Sequence, residues 1–196
     1  MEGRSVAARK VMVVADPTHE SAGALQFALS HAVVENDTLI IFHVGNHNAW
    51  TNPFGVFFRK PNANSGSGAT TSTSLAAEGG AGRVVDFLDT MKQACMAAQP
   101  KMKVVVEKAE LVDGKDKAAV ILAQSTAHKI DLLIVGQRRS LSNAILGSRR
   151  GSLRGLDTAD YLILNSKCTC VAVQKKGQKA GYLLSSKTLK NFWLLA

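Results

Sequence analysis

Short apolar runs alternate along the chain with longer stretches in which apolar residues recur every three or four positions. Val11 to Ala15 (VMVVA) is β-branched and apolar throughout, the pattern of a strand buried on both faces of a parallel sheet. Asp16-Pro17-Thr18-His19-Glu20-Ser21 follows as a turn rich in helix-capping residues, and Ala22, Leu25, Leu29, Ala32 and Val33 then fall at helical spacing. The same alternation continues. Thr38 to Val44 predicts a second strand, and Val84, Leu88, Met91 and Cys95 form the stripe of a second helix that Pro100 helps to end. Val104 to Val106 predicts a third strand, and Lys115 to Lys129 a helix with Ala118, Ile121, Leu122 and Ser125 facing inward. Asp131 to Val135 predicts a fourth strand, Asp157 to Asn165 a short helix, and Cys168 to Gln174 a fifth strand. Strands and helices alternating at these lengths imply a doubly wound α/β fold, a five-stranded parallel sheet joined by right-handed crossovers.

At 196 residues, with 46% hydrophobic and 20% charged positions, the chain suits one globular domain. The predicted elements run from Val11 to Gln174, with a flexible N-terminus (1–8) before the domain and a C-terminal extension (177–196) after it. Residues 45–82 are an insertion rich in Ser, Thr, Gly, Asn and Ala, far longer than an ordinary α/β loop. Within it Trp50, Phe54, Phe57 and Phe58 could pack back on the domain. The extension alternates Lys with a closing Phe192-Trp193-Leu194-Leu195 patch, which reads as an intramolecular tether. No apolar run approaches membrane-spanning length, and Met1 to Lys10 is not followed by the apolar core of a signal peptide, so the expected location is the cytoplasm or nucleus.

Charge adds an asymmetry. The formal net charge is +9, and all of the excess follows Arg138: eleven Lys and Arg stand there against Asp157 and Asp160. A small anionic ligand, or simply a solvated basic face, would account for it. Cys95, Cys168 and Cys170 are too few for a disulfide framework and read as reduced, buried thiols, and the five His show no metal-ligand spacing, so no metal is expected.

In open α/β sheets ligands sit beyond the carboxyl ends of the strands, where strand order reverses. The segment after the fourth strand, GQRRSLSNAILGSRRGSLRG, holds four glycines, hydroxyls at Ser140, Ser142, Ser148 and Ser152, and five arginines. Glycines let backbone N–H groups approach phosphate oxygens, hydroxyls add donors, and guanidinium groups add planar charged forks. An exposed loop has the same composition.

VMVVADPTHESAGALQFALSHAV, TLIIFHV, DLLIVGQRRSLSNAILGS and NSKCTCVAVQ together resemble, in order and spacing, the universal stress protein family, particularly its plant members, and the resemblance places the α/β domain at residues 9–176. The resemblance implies the sheet order 3-2-1-4-5, homodimers through the fifth strand (Thr169 to Gln174), and, in one subgroup, ATP or AMP held through G-2x-G-9x-G-[S/T] after the fourth strand. Carried over, the nucleotide-binding candidates are Asp16 at the end of strand one, near ribose and adenine, Val44 at the end of strand two, and Gly136 as the first glycine, with Arg138 beside it. Arg139 stands at the second glycine position, Arg149 at the third, and Arg150 replaces the hydroxyl. Gly147-Ser148 lies two residues early and Gly151-Ser152 two late; either pair remains a phosphate candidate. The arginines could replace the lost backbone contacts by charge, or fill the cavity.

The leading expectation is therefore a non-enzymatic stress-response or signalling module in which adenine-nucleotide binding is weak or lost. The alternative is a nucleotide hydrolase of the wider adenine-nucleotide α-hydrolase superfamily, but Asp16 to Ser21 does not match that superfamily's S-G-G-x-D-S loop. There is no Walker motif, nucleophile elbow or dinucleotide fingerprint. RNA binding ranks last, because no aromatics interleave with the arginines. His19 and Ser21 near Asp16 read as exposed capping residues rather than parts of a triad, and His43 as a packed core residue.

Overall fold

The computed structural model describes residues 8–45, 81–111, 116–138, 157–177 and 181–195. In chain order the elements are β1 (Lys10–Val14), α1 (His19–Phe27) with a π-helical turn at Ala28–Ala32, β2 (Thr38–Gly45), α2 (Ala81–Ala98), β3 (Lys103–Glu110), α3 (Lys117–Ala127), β4 (Leu132–Gly136), α4 (Thr158–Asn165), β5 (Thr169–Lys175), β6 (Tyr182–Ser186) and β7 (Phe192–Leu194). β1 to β5 run parallel in the order 3-2-1-4-5, so the doubly wound α/β arrangement stands.

Successive strand residues point to opposite faces, and both faces are covered by helices. Val11, Val13, Leu39, Ile41, Ile134 and Val173 pack with Leu25, Phe27, Leu88 and Cys95 of α1 and α2. Met12, Val14, Ile40, Phe42, Leu133 and Ala172 pack on the other face with Ile121 and Leu162 of α3 and α4. The edge strand β3 runs on to Glu110, well past the predicted Val106, because its charged residues Glu107, Lys108 and Glu110 can sit at an edge.

The sheet corrects one expectation. It has seven strands, not five: the order is 3-2-1-4-5-6-7, with β6 antiparallel to β5 and β7 antiparallel to β6. The C-terminal extension is thus part of the sheet. Tyr182 anchors it, 3% exposed, with its ring 5.4 Å edge-on from Phe27 and 5.5 Å from His31. Val171 to Lys175 form their ladder with Tyr182 to Ser186, so β5 has no free edge. The expected pairing of two fifth strands in a dimer meets an occupied strand, because an edge already hydrogen-bonded cannot template another. Trp193 and Phe192 stay about half exposed on β7. The aromatic cluster of the insertion lies outside the described residues, as do residues 1–7.

Candidate functional site

The strand order reverses between β1 and β4, and their carboxyl ends carry the first candidates. Ala15 continues the ladder past β1, donating its N–H to Phe42 O at 2.7 Å, and the chain then turns at Asp16. Ser21 clasps that turn. Its Oγ accepts from the Asp16 N–H at 2.9 Å and donates to Val14 O at 3.1 Å. Ser21 is only 3% exposed, which corrects its reading as a solvent-facing cap. The cap of α1 is Thr18, whose hydroxyl accepts from the Ser21 N–H at 3.2 Å. His19 is exposed, as expected.

Asp16 is approached from both faces of the sheet. Lys117, in the first turn of α3, places Nζ 2.5 Å from Oδ1 and 2.6 Å from Oδ2. From the α2 side, His43 lies edge-on to Phe87, with ring centroids 5.2 Å apart, and donates from Nδ1 to Ala15 O at 2.7 Å. A carbonyl only accepts, so Nδ1 carries the proton. The same nitrogen is 3.6 Å from Asp16 Oδ1, beyond a formed hydrogen bond but close enough for its N–H dipole to favour the carboxylate. Burial pushes the Asp16 carboxyl up, yet the His43 N–H and the Lys117 ammonium outweigh it and hold the group below the ordinary carboxylate range. His43 is thus buried, as expected, and is also part of this cluster.

Gly136 closes β4 on the other side of the reversal. A Cβ there would lie 2.5 Å from the carbonyl carbon and oxygen of Glu20 and 2.8 Å from the Ser21 nitrogen. The backbone at the start of α1 therefore rests directly on this residue, a packing reason for glycine that needs no ligand. Arg138 is largely exposed, its Nε 4.0 Å from Glu20 Oε1. It borders a shallow groove of about 660 Å³ together with Glu20, Gln26, Gln174 and Lys175. That groove lies beside α1 and does not include Asp16 among its walls. The Val44 side chain is 5% exposed and packs in the α3/α4 core layer, leaving its backbone as the part at the strand end. Arg139, Gly147, Ser148, Gly151 and Ser152 lie outside the described residues.

Sequence reasoning missed Lys117, 101 residues from its partner. A signal existed. In a parallel α/β sheet each helix that follows a strand begins at the carboxyl edge, and a cation in a helix's first turn opposes the helix dipole unless an anion holds it there. Among the described residues no group of three or more His, Cys, Asp or Glu could hold a metal ion, and no helix is long and apolar enough to cross a membrane.

The universal stress protein family model matches residues 7–174. This chain belongs to the universal stress protein family. A universal stress protein family protein from Arabidopsis thaliana, solved with AMP bound, is 13% identical; it aligns over 88% of this chain and 95% of that one with a TM-score of 0.52. A universal stress protein solved in complex with cAMP is 14% identical over 86% of this chain and 98% of that one, with a TM-score of 0.54. At these identities the likeness is one of fold. No curated protein matches the sequence significantly.

Proposed function

We propose that this universal stress protein is a non-enzymatic stress-response or signalling module of the cytoplasm or nucleus that binds an adenine nucleotide, AMP or ATP, weakly at the carboxyl ends of β1 and β4. The site reading rests on the strand reversal between Asp16 and Gly136, where open α/β sheets take their ligands, and on the AMP and cAMP held by two proteins of the same fold. The observation that carries the weakness is the Asp16–Lys117 pair: the polar anchor at the reversal already has both oxygens engaged. Arg139 and Arg149, standing where the family pattern has glycines, point the same way, since a side chain at such a position obstructs close approach of backbone N–H groups to phosphate. The module reading predicts no turnover.

Calorimetric titration with AMP and ATP at low and high ionic strength tests this. The expected result is a weak affinity that falls further with salt, because charge pairing with the arginines that follow β4 is screened while backbone cradles are not. Tight, salt-insensitive binding would overturn the weak-binding reading. Multiple-turnover ATP hydrolysis by the purified chain would replace the module with a hydrolase.

A further inference from the structure

We propose that Lys117 locks Asp16 against the sugar of a bound nucleotide, so that this site does not distinguish ligands with 2′ and 3′ hydroxyls from ligands without them. The inference rests on the nucleotide reading above and specifies which part of the ligand that site reads.

Doubly wound folds commonly hold ribose hydroxyls with an acidic side chain at the carboxyl end of a strand, because an ionised carboxylate is acceptor-only and matches two neighbouring O–H donors. Asp16 stands at the carboxyl end of β1, beside the strand reversal, and is held ionised by its surroundings. Its two oxygens are taken by one ammonium, at 2.5 and 2.6 Å. Asp16 and Lys117 are each 29% exposed, so the pair is shielded from bulk water on most sides. A neutral diol that displaced Lys117 would exchange hydrogen bonds charged on both sides for bonds charged only on the carboxylate side, and would leave an ammonium without its anion. A diol that joined the pair would meet a carboxylate whose charge is already neutralised, with His43 Nδ1 3.6 Å from Oδ1. Lys117 also sits where the α3 dipole disfavours a cation, so Asp16 is what keeps it there.

Lys117→Met keeps most of the stem and removes the ammonium. The probes are AMP and 2′,3′-dideoxy-AMP, titrated calorimetrically into the wild type, Lys117→Met, Lys117→Gln, and Lys117→Met combined with Asp16→Asn. The wild type should bind the two probes within about twofold of each other, and each single variant should bind AMP at least about tenfold more tightly than the dideoxy compound, the size of one charge-assisted bond. The double variant should return to about twofold, because an amide lacks the charge that strengthens the bond. The Asp16 carboxyl, followed by NMR, should titrate at higher pH in Lys117→Met, which also reports whether that variant is folded. A wild type that already favours AMP tenfold, or single variants that still do not discriminate, would overturn the lock while leaving nucleotide binding intact. No binding of either probe by any of the four proteins at millimolar ligand would overturn the nucleotide reading and the lock with it.

Discussion

Gly136→Ala should destabilise the fold by about 1–3 kcal/mol, the usual penalty for forcing extra atoms into a packed site. The added methyl would lie 2.5 Å from the Glu20 carbonyl carbon and oxygen and 2.8 Å from the Ser21 nitrogen, each well inside ordinary van der Waals contact. Relief cannot come from a flexible side chain, since all three atoms are backbone. That backbone is fixed by the Thr18 cap and by the two hydrogen bonds of the Ser21 hydroxyl. The start of α1 must therefore shift or β4 must bend. For a chain of this size a loss of about 2 kcal/mol lowers the thermal midpoint by about 4–8 °C, readable by circular dichroism and by urea unfolding. Gly45→Ala is the internal control: among the described residues its Cβ would meet only His43 Nε2 at 3.9 Å and the Ala109 carbonyl at 4.0 Å, so the midpoint should hardly move. Equal, small effects of the two substitutions would refute the claim that packing of α1 demands glycine at 136.

At the opposite end of the sheet Asp37, 2% exposed, accepts from the Arg9 guanidinium at 2.6 Å and from the Arg9 and Val34 N–H groups at 3.2 and 3.1 Å. Asp37→Asn should cost about 1.5–3 kcal/mol in urea unfolding, and an unchanged midpoint would refute that role. Burial pushes the Asp37 carboxyl up, but these donors hold it below its usual range, as His43 and Lys117 do for Asp16. Stability from both groups should be complete above the unfolded carboxylate value of about 4 and fall as pH drops through their lower folded values; loss of stability between pH 7 and 5 would contradict this. Deleting residues 178–196 should bare β5 and raise the mass seen by light scattering, whereas an unchanged mass would show that β6 does not protect that edge. Burial pushes the Cys95 thiol up to about 11 and the Cys170 thiol up to about 12, so near pH 8 a thiol reagent should modify the native chain only at the half-buried Cys168, and fast modification of all three would contradict the packing.

The strands β1, β2, β4 and β5 were legible because burial on both faces demands unbroken apolar runs, which few other environments tolerate. Asp16 and Gly136 were legible as positions, since the strand order alone places the ends of β1 and β4 together. β6 and β7 were not. Tyr182 to Ser186 and Phe192 to Leu194 are short, partly polar, and set among lysines; their ladder depends on β5 and on the Phe27 and His31 rings, contacts that no local window contains. Ser21 looked like a cap because its residue type and position allow one. Its burial follows from the closeness of α1 to Gly136, a tertiary fact. Lys117 falls within the predicted helix Lys115 to Lys129 with nothing local to single it out, and its role appears once α3 is packed beside β2 with its first turn at the carboxyl edge.

The location of the ligand is the most direct test of the account. Amide chemical shifts of the isotopically labelled chain, followed as AMP is added, should move first and furthest at Ala15 to Thr18 and at Gly136 to Arg138, with the Lys117 amide among them. Changes centred instead on Arg9, Asp37 and the amino ends of the strands, or no change at millimolar AMP, would contradict a nucleotide site at the β1–β4 reversal.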